Sequence, residues 1–181
     1  AEQCDDDDGR FIFLWISFNA AYAQQFSLEE QSPEKQKAEA FITKLVALDS
    51  GNRLYELLWS TFPGTLRVLL DNHYVFQPFW DAKGRGDDDG LWKAAFAGAN
   101  RAARSALGRG DTATVLSVVL KRLYTLRNQL VHGGATWNSQ VNREQLRDCT
   151  RLMGELMPLI IEIMMDHPDT LWGDAVYPVV T

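Results

Sequence analysis

Cysteine is scarce in this chain: Cys4 and Cys149 are the only two in 181 residues. That excludes a disulfide scaffold and every multi-cysteine zinc site. Histidine occurs three times, as His73, His132 and His167, and no HExxH motif contains any of them. A glycine-rich phosphate loop is missing too. Nowhere does the chain offer a convincing membrane span. Phe11 to Leu28 is uncharged, but Ser17, Asn19, Gln24, Gln25 and Ser27 make it too polar to sit in lipid. Acidic residues precede it, the wrong sign for a secretory signal, so the expected compartment is the cytoplasm. The chain lacks an initiator methionine, as expected of a processed or trimmed piece of something longer. Internal repeats, low-complexity tracts and strands with clear apolar–polar alternation are all missing.

What is present suits a globule. Hydrophobic residues make up 46% and charged residues 23%, enough apolar side chain to fill a core. The length fits one domain, two at most. Net charge is −6, of which residues 1–9 carry −5 through Glu2 and Asp5 to Asp8, leaving −1 for the rest. Residues 1–9 therefore read as a poorly ordered acidic tail, and 10–181 as a single domain. Seven cations fall between Leu91 and His132 (Lys93, Arg101, Arg104, Arg109, Lys121, Arg122 and Arg127), against one anion, Asp111. The overall acidity argues against broad, nonspecific nucleic-acid binding, whereas a local basic surface remains compatible with RNA.

The periodicity is helical almost throughout. Phe11, Leu14, Trp15, Phe18 and Tyr22 recur at steps of three and four. Ser32-Pro33 reads as a helix start, followed by a stripe from Ala38 to Leu48 and a stop at Gly51. Shorter helical pieces are expected over 54–60 and 65–73. The aromatic patch at 73–80 fits neither helix nor strand cleanly, and 81–90, rich in glycine and charge, reads as a loop. An alanine- and arginine-rich helix is expected from Leu91 to about Leu107. Asp111 caps the clearest helix, with Val115, Leu116, Val119, Leu120, Leu123, Leu126 and Leu130 as its apolar positions; it stops at His132-Gly133-Gly134. The last long helix is capped by Asn142, with Gln145 as capping-box partner, and Pro158 should kink it near Gly154. The fold class is all-α, a bundle of four to five main helices.

Most polar candidates have a plain structural reading. Cys149 falls on a core stripe and reads as a small buried apolar residue. Four adjacent aspartates cannot all point at one metal, so Asp5 to Asp8 read as solvated, as do Asp87 to Asp89. No metal and no cofactor is expected. His132 stands apart because Asn128 and His132 lie about 40° apart on one helix face, and the long Arg127 side chain can swing toward the same end. An arginine, an amide and an imidazole at one helix end suit metal-free phosphodiester cleavage. Imidazole moves protons near neutrality, and guanidinium holds phosphate and offsets charge growing on it. The plainer alternative is that His132 caps a helix C-terminus and Arg127 makes a structural ion pair.

The string RNQLVHGG, residues 127–134, resembles the signature of HEPN domains, the R-x4-6-H ribonuclease superfamily, in its RN-x3-H form. RFIFLWISFNAAYA, residues 10–23, resembles the first helix of prokaryotic HEPN proteins, particularly the Apea-like group. The likeness spans about Arg10 to Met165. It implies a helical bundle that forms a homodimer, with the motifs of two copies meeting in one composite cleft. It further implies a metal-independent endoribonuclease of a prokaryotic defence or toxin–antitoxin system, in which the RNA 2′-hydroxyl attacks the adjacent phosphate. On that pattern His132 is the general acid/base, Arg127 the phosphate clamp and Asn128 a positioning residue, with Lys121 and Arg122 as further RNA-binding cations. An antitoxin or regulatory protein is a conceivable partner. One toxin group has a modifiable tyrosine two residues after the histidine; Gly134 stands there in this chain. The runner-up is a catalytically silent HEPN module that binds protein, nucleotide or nucleic acid. A third reading is a helical regulatory domain cut from a larger protein.

Overall fold

Why the chain folds as it does is clearest in its last two long helices, where apolar residues recur with the helical period. A computed structural model describes residues 1–22, 33–87, 90–133, 143–170 and 172. Within them the chain is all-α, with no strand. In order come α1 (Asp7–Tyr22), α2 (Pro33–Leu48), α3 (Arg53–Glu56), a π-helical turn (Leu57–Thr61), α4 (Pro63–Asp71), a 3-10 turn (His73–Val75), α5 (Gln77–Arg85), α6 (Leu91–Arg109), α7 (Thr112–Val131) and α8 (Arg143–Asp166). No helix among the described residues is long and apolar enough to cross a membrane.

α7 is the central element and packs against α1, α2, α4, α6 and the 3-10 turn. Asp111 caps it as expected: its carboxylate accepts from the Thr114 amide at 3.1 Å, which holds the acid below its ordinary range. Val115, Leu116, Val119, Leu120, Leu123 and Leu126 are all buried. α8 buries Leu146, Cys149, Leu152, Met153, Leu156, Ile160 and Ile163 against α1 and its neighbours. Burial pushes the Cys149 thiol well above its usual range, in keeping with an inert core residue. Pro158 lies inside α8 on its exposed side and does not end the helix. Gln145 is buried and its side-chain oxygen accepts from Asn72, tying α8 to the 3-10 turn. Its expected capping partner Asn142, like Ser32 and Gly134, lies outside the described residues.

Two segments depart from the expectation. The 81–90 stretch is helical as far as Arg85, because Phe79 and Ala82 give α5 a buried face and Asp81 accepts from Gln77 one turn back at 2.9 Å. Lys83 and Arg85 suit the negative end of that helix, and Gly86, at φ 68°, supplies the left-handed stop. At the other end of the chain, the acidic run is not a solvated tail throughout. Asp6 accepts from the Gly9 amide at 2.8 Å, Asp7 and Asp8 occupy the first turn of α1, and Asp8 is buried in an ion pair with Arg143. Self-repulsion among the aspartates is offset there by the helix dipole and by a cation on α8.

Candidate functional site

The last turn of α7 carries the motif. Arg127 and Asn128 are partly buried, and Arg127 Nη1 donates to Asn128 Oδ1 at 3.0 Å. The guanidinium therefore does swing toward Asn128, and the amide oxygen is committed to it. One turn on, the His132 backbone N–H donates to the Asn128 carbonyl at 2.9 Å, closing the helix. Asn128 meets Arg127 through its side chain, while its tie to His132 is the ordinary backbone bond of the helix. His132 is exposed at the helix C-cap, between the exposed residues Val131 and Gly133, the latter at φ 79°. A helix C-terminus presents carbonyls and a partial negative charge, so an anion held here depends on side-chain cations.

Lys121 and Arg122, expected together on an RNA-facing surface, are separated by the helix. Lys121 is half-buried and lies within about 20° of Asn128 and of His132, on the same stripe, further up α7. Arg122 points the other way. It is only 3% exposed, so its assignment as a surface RNA contact is corrected: the guanidinium lies 4.7 Å from the Phe76 ring centre and 5.3 Å from that of Phe96. Its nitrogens donate to the Val75 carbonyl at 3.5 Å and to Asn100 Oδ1 at 3.3 Å. Desolvation by burial lowers its pKa to about 10, so it remains charged near neutrality. The helical period carried this signal, because Val115, Val119, Arg122, Leu126 and Gln129 form one buried stripe.

Gln129 is the residue that charge and motif reading missed. It is buried, and its amide donates to the carbonyl of Tyr74. Seven residues separate it from Arg122, which places the two within about 20° on one face. Side chains from α7 thereby hold two successive carbonyls of the 3-10 turn, those of Tyr74 and Val75. His73, in that turn, lies among aromatic rings and contacts Tyr74, Phe79 and Trp92. His167, after the end of α8, has its Nδ1 2.9 Å from the Ile163 carbonyl. Among the described residues no three His, Cys, Asp or Glu side chains gather as a metal site requires. No protein-family model, curated protein or solved structure matches this chain.

Proposed function

We propose that the chain is a HEPN-like, metal-independent endoribonuclease whose site is completed by a second copy, of the kind used in prokaryotic defence or toxin–antitoxin systems. One observation carries the reading: Arg127, Asn128 and His132 fall together at the C-terminal end of a single helix, with guanidinium bonded to amide and the histidine exposed. Arg127 supplies the positive charge that a phosphate needs at a helix C-terminus. Asn128 accepts from the guanidinium and so helps to hold it. Val131, 49% exposed beside His132, offers an apolar contact for the second copy.

In the proposed reaction an imidazole takes the proton from the RNA 2′-hydroxyl as that oxygen bonds to phosphorus. The bond from phosphorus to the 5′-oxygen breaks, and the imidazolium so formed passes that proton to the leaving oxygen. Arg127 offsets the charge that builds on the non-bridging oxygens. The products are a 2′,3′-cyclic phosphate and a 5′-hydroxyl, with no net oxidation and no added water in this step.

Gel assays on a broad RNA panel, with and without EDTA, test it. Wild type should cut RNA in EDTA and leave strands with 2′-deoxyribose at the cut position intact. His132→Ala should lower the rate by about 10²–10⁴ and Arg127→Ala by about 10²–10³. Both side chains lie off the apolar stripe, so melting temperatures should hold. Activity that EDTA abolishes rejects the mechanism, and an intact RNA panel supports the silent binding module instead.

A further inference from the structure

A cluster of rings sits where the 3-10 turn meets α5 and the start of α6. His73 lies 4.1 Å from Tyr74 and 5.5 Å from Trp92, centre to centre, while Phe79 packs edge-on against His73, Tyr74 and Trp92. Trp80 stands against Tyr74 and Phe79, and its indole N–H donates to the Tyr74 carbonyl at 2.7 Å. These rings lie outside the main core, which reaches this region through Val75. Of the five, only Phe79 is buried; Tyr74 is 44% exposed. The rings that fill this protein's core, Phe11, Trp15 and Phe18 among them, are buried, whereas four of these five keep part of their surface in solvent.

The cluster is also fixed in place relative to the motif. Gln129 and Arg122 hold the Tyr74 and Val75 carbonyls, and Asn72 caps the turn by accepting from the Tyr74 amide at 2.8 Å. His132 follows Gln129 by three residues and lies about 60° around the helix from it. The turn that carries Tyr74 is therefore anchored less than one helical turn from the imidazole. Positive charge borders the rings: the Lys93 ammonium is 5.8 Å from the Trp92 ring centre, and Lys83 is exposed on α5. The nearby acids Asp81 and Asp71 are engaged by Gln77 and Arg104.

We infer that this cluster is a stacking platform for an unpaired base of single-stranded RNA, with the Tyr74 ring as its exposed face. The substrate class rests on the nuclease reading above; the platform itself rests on the rings and their placement. A paired helix keeps its base faces covered, whereas a single strand can lay one on an aromatic side chain while its phosphates meet lysine and arginine.

Fluorescence anisotropy tests this in the full chain carrying His132→Ala, with a labelled single-stranded RNA twelvemer, single-stranded DNA of the same sequence, and the RNA duplex. Adding Tyr74→Ala should weaken binding of both single strands by on the order of tenfold. Tyr74→Phe should bind within about twofold of the parent, because it keeps the π-face. Tyr74→Leu, which keeps apolar volume against Phe79 but lacks that face, should lose as much as alanine. Duplex binding should be weaker than single-strand binding and indifferent to all three. The turn's anchoring bonds use the Tyr74 backbone, so the variants should keep the parent's melting temperature. The inference is overturned if Tyr74→Ala and Tyr74→Leu bind like the parent, or if the parent prefers duplex or binds no single strand at tens of micromolar. Tyr74-dependent binding in a wild type that cuts no RNA keeps the platform and removes the nuclease; cleavage with an unchanged KM in Tyr74→Ala does the reverse.

Discussion

Adjacent positions on α7 differ by about 100° of rotation, and that angle separates Lys121, on the Asn128–His132 stripe, from Arg122, packed against the touching rings of Phe76 and Phe96. Arg122 is a strut between α7, α6 and the 3-10 turn rather than an RNA contact. Truncating it removes a desolvated cation–π pair and leaves two acceptors without their donor. We expect Arg122→Ala to cost about 2–4 kcal/mol, read as a fall of roughly 5–15 °C in a thermal melt. Arg122→Lys should recover little, since a compact ammonium does not spread across two rings and two acceptors. A variant that melts with wild type yet loses RNA affinity would return Arg122 to the surface. The helical period of the sequence is enough to align Asn128 with His132. The same period aligns Arg122 with Val119 and Leu126, but its charge favours a surface reading. What composition does not convey is that Phe76 and Phe96, distant in sequence, shelter a guanidinium from water.

Helices with strong apolar stripes were legible as elements, and those whose start or end depends on tertiary partners were not. α7 and α8 announce themselves through Asp111 and through leucines and methionines at steps of three and four. The π-helical turn shows no such local signal: the Phe62 amide reaches back five residues to the Leu57 carbonyl, and Trp59 donates to the Leu107 carbonyl at the end of α6. The start of α1 was obscured by its charge. An aspartate before an apolar periodic run is a cap signal, but four in succession read as repulsion. Since Asp6 caps α1, Asp8 meets Arg143, and Thr150 bonds the Asp7 carbonyl at 3.4 Å, truncations should separate sharply. Removing residues 1–5 should leave the melting temperature within about 2 °C, as loose termini do. Removing 1–9 takes the cap and the buried carboxylate and leaves Arg143, 30% exposed, without it. Solvent screening at Arg143 tempers the loss to about 1–3 kcal/mol, or roughly 3–10 °C. Equal melting of both truncations by circular dichroism would mean that the acidic run stabilises nothing.

At the scale of the whole molecule, charge and apolar exposure are both unevenly distributed. Net negative charge concentrates in residues 1–9, which carry −5 of the −6, while the cations of 91–132 run along α6 and α7 toward the motif. Exposed large apolar side chains among the described residues are Val131 beside the motif, Val68 on α4, Tyr74 in the 3-10 turn, Leu91 at the start of α6, and Phe13, Ile16, Ile161 and Met165 on α1 and α8. Only a contact at the first brings two Arg127–His132 sets into one cleft, and this is the assembly that the proposed reaction requires. One arginine-bearing end and one histidine-bearing end would then suffice for a working half-site, even from different copies. Arg127→Ala and His132→Ala proteins, each inactive alone, should regain cleavage when mixed, because random pairing yields about half heterodimers with an intact arginine from one copy facing an intact histidine from the other. Wild-type specific activity should also fall on dilution, as the dimer dissociates by mass action. Val131→Asp, which places a charge on the proposed contact, should give a monomer by light scattering that does not cut, whereas Ile16→Asp on the other face should remain dimeric and active. Mixtures that stay dead while each variant remains dimeric would confine the chemistry to a single chain and end the composite-site proposal. A monomeric wild type that still cleaves would do the same without touching the roles of Arg127 and His132.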